Sequence, residues 1–92
     1  MDVEWDPDKA RSNRSKHGIS FSDVELAFYD PFALSMPDTF SVAEERFLLV
    51  GTDALGRILA ASYAYRGEAI RIISARLATK SERREYEKGI RL

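Results

Sequence analysis

The run Ile70 to Tyr86, IRIISARLATKSERREY, constrains this chain most, because it demands a strand and then a helix in immediate succession. Ile70 to Arg76 is short, rich in β-branched residues and bounded by turn and cap residues, which predicts a well-buried strand. Strict alternation along it would place Ile70, Ile72, Ser74 and Arg76 on one face and Arg71, Ile73 and Ala75 on the other. An arginine among isoleucines is costly unless its guanidinium reaches water or an anion. Thr79 with Glu82 three residues on spells a capping box, so a basic helix begins there. The implied device is a sheet that presents guanidinium groups to a phosphate-bearing partner, RNA foremost.

The 92 residues suffice for one domain. There is no cysteine, which excludes disulfides, thiolate nucleophiles and Cys-based zinc sites. No apolar run approaches the roughly 20 residues of a membrane span, and no signal peptide is readable, so a cytoplasmic location is expected. A net charge of −1 conceals an asymmetry: residues 1–56 carry −6 and residues 57–92 carry +5. A basic half of this kind is the footprint of a nucleic-acid or acidic-protein binder. Lys88 and Arg91 fit a solvated helix face instead.

Val3-Glu4-Trp5 reads as a short edge strand anchored by the indole. Asp6-Pro7 starts a nearly all-polar helix that Gly18 ends. Such a helix needs strong docking or a ligand to hold it. Ser22 and Glu25 spell a second capping box, with Phe21 stapling on Leu26, and Val24, Ala27 and Phe28 form the apolar stripe before Asp30-Pro31. Strands follow at Phe32 to Met36, Arg46 to Gly51, Arg57 to Arg66 and Ala69 to Arg76, the last two joined by a tight Gly67-Glu68 hairpin. The expected fold is α+β: a short strand, two helices, a four-stranded antiparallel sheet and a C-terminal helix. Its helices should sit on one face and leave the other open to a ligand.

In order along nearly the whole chain stand Glu4-Trp5-Asp6, Lys16-His17-Gly18-Ile19-Ser20-Phe21, Asp30-Pro31 and Glu44-Glu45-Arg46-Phe47. Tyr63 with Arg66, Arg71 to Arg76, and Ala78-Thr79 with Glu82-Arg83-Arg84 and Tyr86 complete the set. This series resembles the BrnT family of ribonuclease toxins from type II toxin–antitoxin pairs. The resemblance implies a RelE-like fold, RNA cleavage without a metal or other cofactor, translation and growth inhibition, and neutralisation by a protein antitoxin called BrnA. A homodimer within the toxin–antitoxin complex is compatible with it. The chain departs from the family at Tyr65, where members often carry Glu, and at Leu77, where they often carry Lys.

Metal-free RNA cleavage needs a base for the 2′-hydroxyl, cations for the phosphorane and an acid for the leaving oxygen. Arg46, Arg66 and Arg76 come from three successive strands and are the expected cation group, since a guanidinium fork holds two phosphate oxygens. Their alternative is ion pairing with Glu44, Glu45 or Glu68. Arg71, on the opposite face by alternation, is expected to be structural or antitoxin-facing. His17, the single histidine, can act as acid or base near neutrality, or simply cap its helix. Glu45 is a second candidate base. Lys16, Lys80, Arg83 and Arg84 are candidate RNA contacts, and Tyr63 and Tyr65 candidate stacking platforms, with a core position the equal alternative for Tyr63. A non-catalytic nucleic-acid-binding module or degenerate toxin is the competing function, and an arginine-bearing partner of an acidic protein a third.

Overall fold

The computed structural model describes residues 2–39 and 45–90, so the expectations placed on Glu44 and Arg91 lie outside the described residues. Strand β5 (Ala69–Leu77) takes a central role, flanked by β4 (Ile58–Arg66) on one side and β1 (Asp2–Trp5) on the other. Beyond β4 come β3 (Phe47–Thr52) and β2 (Leu34–Pro37), giving the order β1-β5-β4-β3-β2. The sheet therefore has five strands rather than four. The neighbours from β5 to β2 are antiparallel, whereas β1 lies parallel to β5 with Glu4 beside Arg71. The α+β class holds, and the N-terminal strand supplies the fifth member.

Helix α1 (Pro7–His17) begins on an Asp6 cap whose carboxylate accepts from the Asp8 amide, and ends at Gly18 with φ of 67°. That left-handed conformation is nearly free for glycine and costly for any residue with a Cβ. Helix α2 (Phe21–Val24) is a single turn continued by a 3₁₀ segment, Glu25–Tyr29. Ser20, not Ser22, occupies its N-cap, and Leu26 is exposed, so the second capping box and its staple are absent. The apolar stripe stands: Val24 and Ala27 are fully buried and Phe28 packs against the same core. Helix α3 (Lys80–Lys88) carries the full Thr79–Glu82 capping box.

One sheet face, here the core face, packs Leu59, Ala61, Ile72 and Ala75 against Ile19, Phe21 and Val24. Next to this cluster, Ala27 packs with Leu49, Tyr63 and Ile70. Gly51 lets the 3₁₀ segment come close, since a Cβ there would meet the Ala27 carbonyl at 3.1 Å. The opposite face is not left wholly open. Helix α3 seats Tyr86 on Val50 and Ala60 there, covering one end. Helices on both faces replace the expected segregation, and the uncovered remainder becomes a cleft.

Strict alternation fails in β5. Ser74 pairs with Ser62, but Ile72 pairs with Tyr63, leaving Ile73 as a bulge residue. A bulge inserts one residue and so exchanges the faces of everything beyond it. Ile70 and Ile72 consequently join Ala75 on the core face, while Arg71 joins Ser74 and Arg76 on the cleft face. The expected placement of Arg71 opposite Arg76 is thereby corrected.

Candidate nucleic-acid cleavage site

Along β4 the residues aimed at the cleft face are Ala60, Ser62 and Ala64, all small, while Leu59, Ala61 and Tyr63 fill the core. With Ser74 beside Ser62 and Leu48 on its other side, they give the sheet a low floor. A cleft of about 250 Å³ opens there, lined by His17, Asp38, Arg46, Leu48, Ser74 and Arg76 among others. The C-terminal end of α1 contributes His17, the segments flanking β2 and β3 contribute Asp38 and Arg46, and β5 contributes Arg76. Asp38 and Arg46 are tied together by an amide-to-carbonyl bond of 2.8 Å. A second hollow shares His17 and Ser74 and adds Lys16 and Lys9, so it prolongs the site around the end of α1.

Arg76 is held in place. Its Nη1 and Nη2 donate to Oε1 and Oε2 of Glu82 at 2.7 and 3.0 Å. The same carboxylate accepts from the Thr79 amide at 2.9 Å. The Arg76 bond holds the Glu82 carboxyl at about 2, against the opposing effect of burial. The Glu82 hydrogen bond in turn raises the Arg76 pKa above its ordinary value. The ion pair foreseen for an arginine thus exists, with Glu82 as the partner rather than Glu45 or Glu68. Two guanidinium nitrogens face Glu82, and the side chain remains 41% exposed. It can meet an anion while its orientation is fixed.

Helix α1 docks without an apolar stripe. Asn13 is buried, donates to the Ala75 and Ile19 carbonyls at 2.9 and 3.2 Å, and accepts from the Ala75 amide at 2.9 Å. Strand β1 ends at Trp5, beside Ile72. Past that point the Asn13 amide continues the ladder on the free edge of β5. With Ala10 packed against the core, this side chain fixes the helix that carries Lys16 and His17. On the other side, Asp30 accepts from Tyr86 Oη at 2.6 Å and from the Thr52 and Phe32 amides at 2.9 Å each. Burial pushes its carboxyl up, but these three donors outweigh it and leave the pKa lowered. Asp30 therefore clamps α3 to the sheet.

The remaining expected site residues divide. Arg66 lies on the cleft face at the β4–β5 hairpin, paired in register with Ala69, while Arg76 pairs with Ala60. Six residues of strand, about 20 Å, separate those positions, so the three arginines are not one group. Glu45 is exposed and does not line the cleft. Lys80, Arg83 and Arg84 are exposed on α3, also outside it. Tyr63 is buried on the core face with its hydroxyl 2.5 Å from Ser35 Oγ, and burial raises its pKa. It cannot stack on a base. Tyr65 is exposed but on that same core face, its ring against Phe47. Trp5 is an anchor, edge-on to Phe21. Sequence reasoning missed Asp38, Ser62, Ser74 and the role of Glu82, whose only sequence signal was the capping box. Among the described residues, no group of three His, Asp or Glu stands ready to hold a metal, and no helix is long and apolar enough to cross a membrane.

A family model for the ribonuclease toxin BrnT of type II toxin–antitoxin systems matches residues 5–82. The 1.1 Å crystal structure of the Brucella abortus ribonuclease toxin BrnT superposes with a TM-score of 0.68 at 30% sequence identity, covering 87% of this chain and 99% of that one. No curated protein matches.

Proposed function

The chain belongs to the BrnT family, ribonuclease toxins of type II toxin–antitoxin systems, and from that premise we propose a metal-independent endoribonuclease whose chemistry takes place in the cleft of Arg76, Arg46 and His17. The observation that carries this reading is the convergence of those three side chains from separate elements onto a floor of small residues. Arg76, oriented by Glu82, and Arg46 stabilise the charge that builds on the phosphorane, and such preorganised cations supply most of the rate gain in a reaction of this kind. His17 moves a proton to or from the reacting oxygens, and Lys16 holds a neighbouring phosphate. The 2′-hydroxyl attacks the adjacent phosphorus, the 5′-oxygen of the next nucleotide leaves with a proton, and a 2′,3′-cyclic phosphate remains. Translation and growth stop because RNA is cut in the cytoplasm. A BrnA-like antitoxin neutralises the toxin by covering part of the basic surface.

The competing reading, a binding module without chemistry, drew on the loss of glutamate at position 65. Tyr65 lies on the face away from the cleft, so that substitution takes no carboxylate from the site. The test is purified protein incubated with RNA in excess EDTA. Shortened products ending in cyclic phosphate are expected. Binding without cleavage would sink the nuclease, and cleavage that returns only with added magnesium would sink metal independence.

A further inference from the structure

We propose that Arg71 and Arg66 form a phosphate-binding track that carries a single RNA strand away from the cleavage cleft along β4. The inference rests on the RNA-cleaving reading of that cleft. The bulge at Ile73 is the observation that creates the track, because it turns Arg71 onto the cleft face beside Ala64. Arg66 lies on that face too, two residues further along β4. Arg76 and Arg71 on β5, opposite Ala60 and Ala64, and Arg66 at the end of β4 thus stand at successive stations along the β4–β5 pair, separated by about 13 and 7 Å. Between them run the small residues Ala60, Ser62 and Ala64, of which Ser62 is partly exposed, so no bulky side chain on β4 separates the arginines.

Charge and pairing agree with this role. Among the described residues neither the Arg71 nor the Arg66 side chain has a hydrogen bond or ion pair. Arg76, by contrast, is committed to Glu82. Arg71 is half-buried, so its guanidinium is positioned without being spent on a partner. Glu4, in register with Arg71 on the β1 side, closes that flank with negative charge. A nucleic-acid strand is therefore steered onto β4. The occupant is single-stranded RNA flanking the cut bond, because arginines set in line along the β4–β5 pair can meet successive phosphates of one backbone.

The test measures binding of 2′-O-methyl oligoribonucleotides, which lack the attacking hydroxyl, by fluorescence anisotropy across a salt series. One probe of two nucleotides fills only the cleft and stops short of Arg71, and one of about a dozen reaches the track. Arg71→Ala should weaken the longer probe about tenfold and lower its salt slope by about 0.7, the value for one contact to a single strand. It should leave the short probe unchanged. Arg71→Lys should restore the slope, and thermal melts should show both variants folded. Equal affinity of wild type and Arg71→Ala for the longer probe would overturn the track, as would an equal loss for both probes. Unmodified RNA is assayed in parallel. If wild type leaves it intact yet grips the longer probe through Arg71, the track stands and the nuclease reading falls.

Discussion

Replacing Glu82 with glutamine separates two jobs that one carboxylate performs. A glutamine at the third position of a helix still closes a capping box, so Glu82→Gln keeps the α3 cap and removes only the charge that holds Arg76. The magnitude follows from the lowering of this carboxyl from 4.5 to about 2. At 1.36 kcal/mol per pH unit that is roughly 3.4 kcal/mol as a ceiling. Arg76 is 41% exposed, and solvent screening reduces the figure to about 1–2 kcal/mol. For a domain of this size the midpoint of thermal unfolding should fall by roughly 5–15 °C.

The sign with pH is fixed by the direction of the shift. A carboxyl held low in the folded chain contributes stability that is fully present above its unfolded value of 4.5 and is lost as pH drops through about 2. Urea unfolding of wild type and Glu82→Gln between pH 7 and pH 2 checks this. The two midpoints should differ at neutrality and converge in acid. A variant as stable as wild type at pH 7, or a difference that persists unchanged at pH 2, would refute an Arg76–Glu82 pair that stabilises the native state.

Asn13→Ala strips a buried ladder partner from both the amide and carbonyl of Ala75. It should cost about 2–4 kcal/mol and speed hydrogen exchange at the Ala75 amide. Asp30→Ala abandons three donors, one of them the Tyr86 hydroxyl. A loss of about 3 kcal/mol in urea unfolding is expected. Arg76→Ala should slow RNA cleavage by about 10²–10³-fold, and on induction it should neither degrade RNA nor arrest growth while remaining folded. His17→Ala should lose about 10²-fold in cleavage rate while remaining folded, read from product gels and thermal melts.

The sequence was most informative where local chemistry decides structure. Asp6-Pro7, Gly18 and the Thr79–Glu82 box set the bounds of α1 and α3 through caps that depend on a few neighbouring residues. What alternation could not reveal was the bulge at Ile73: an isoleucine run looks the same with or without an unpaired member, yet the bulge moves Arg71 to the other face. Tyr63 stayed open between core and cleft for a related reason, since its orientation depends on which residues of β4 face inward. Ala60, Ser62 and Ala64 gave little hydrophobic signal either way. The parallel pairing of β1 with β5 is a long-range contact across most of the chain, with no local signature. His17, Arg46 and Arg76 could be picked out by residue type, but their meeting depends on where α1 docks.

That docking decides how mutations should be interpreted. No apolar stripe holds α1 to the sheet; Asn13 holds it, and His17 follows on the last helical turn. Tyr86 packs α3 against Val50 and Ala60, Asp30 fastens its hydroxyl, and Glu82 at the start of the same helix aims Arg76. The chemical groups therefore sit at the ends of elements anchored by other, polar side chains. Loss of cleavage in an Asn13 or Asp30 variant would accompany loss of stability and of local exchange protection. Loss at Arg76 or His17 would reach the chemistry with the fold intact. Because polar anchors shielded from water are costly when half satisfied, the buried Asn13 and the part-buried Asp30 should fail cooperatively, on heating as well as in activity. A His17 variant should fail only in the rate, and an Arg76 variant in the rate with the modest loss of stability that follows from breaking its Glu82 pair.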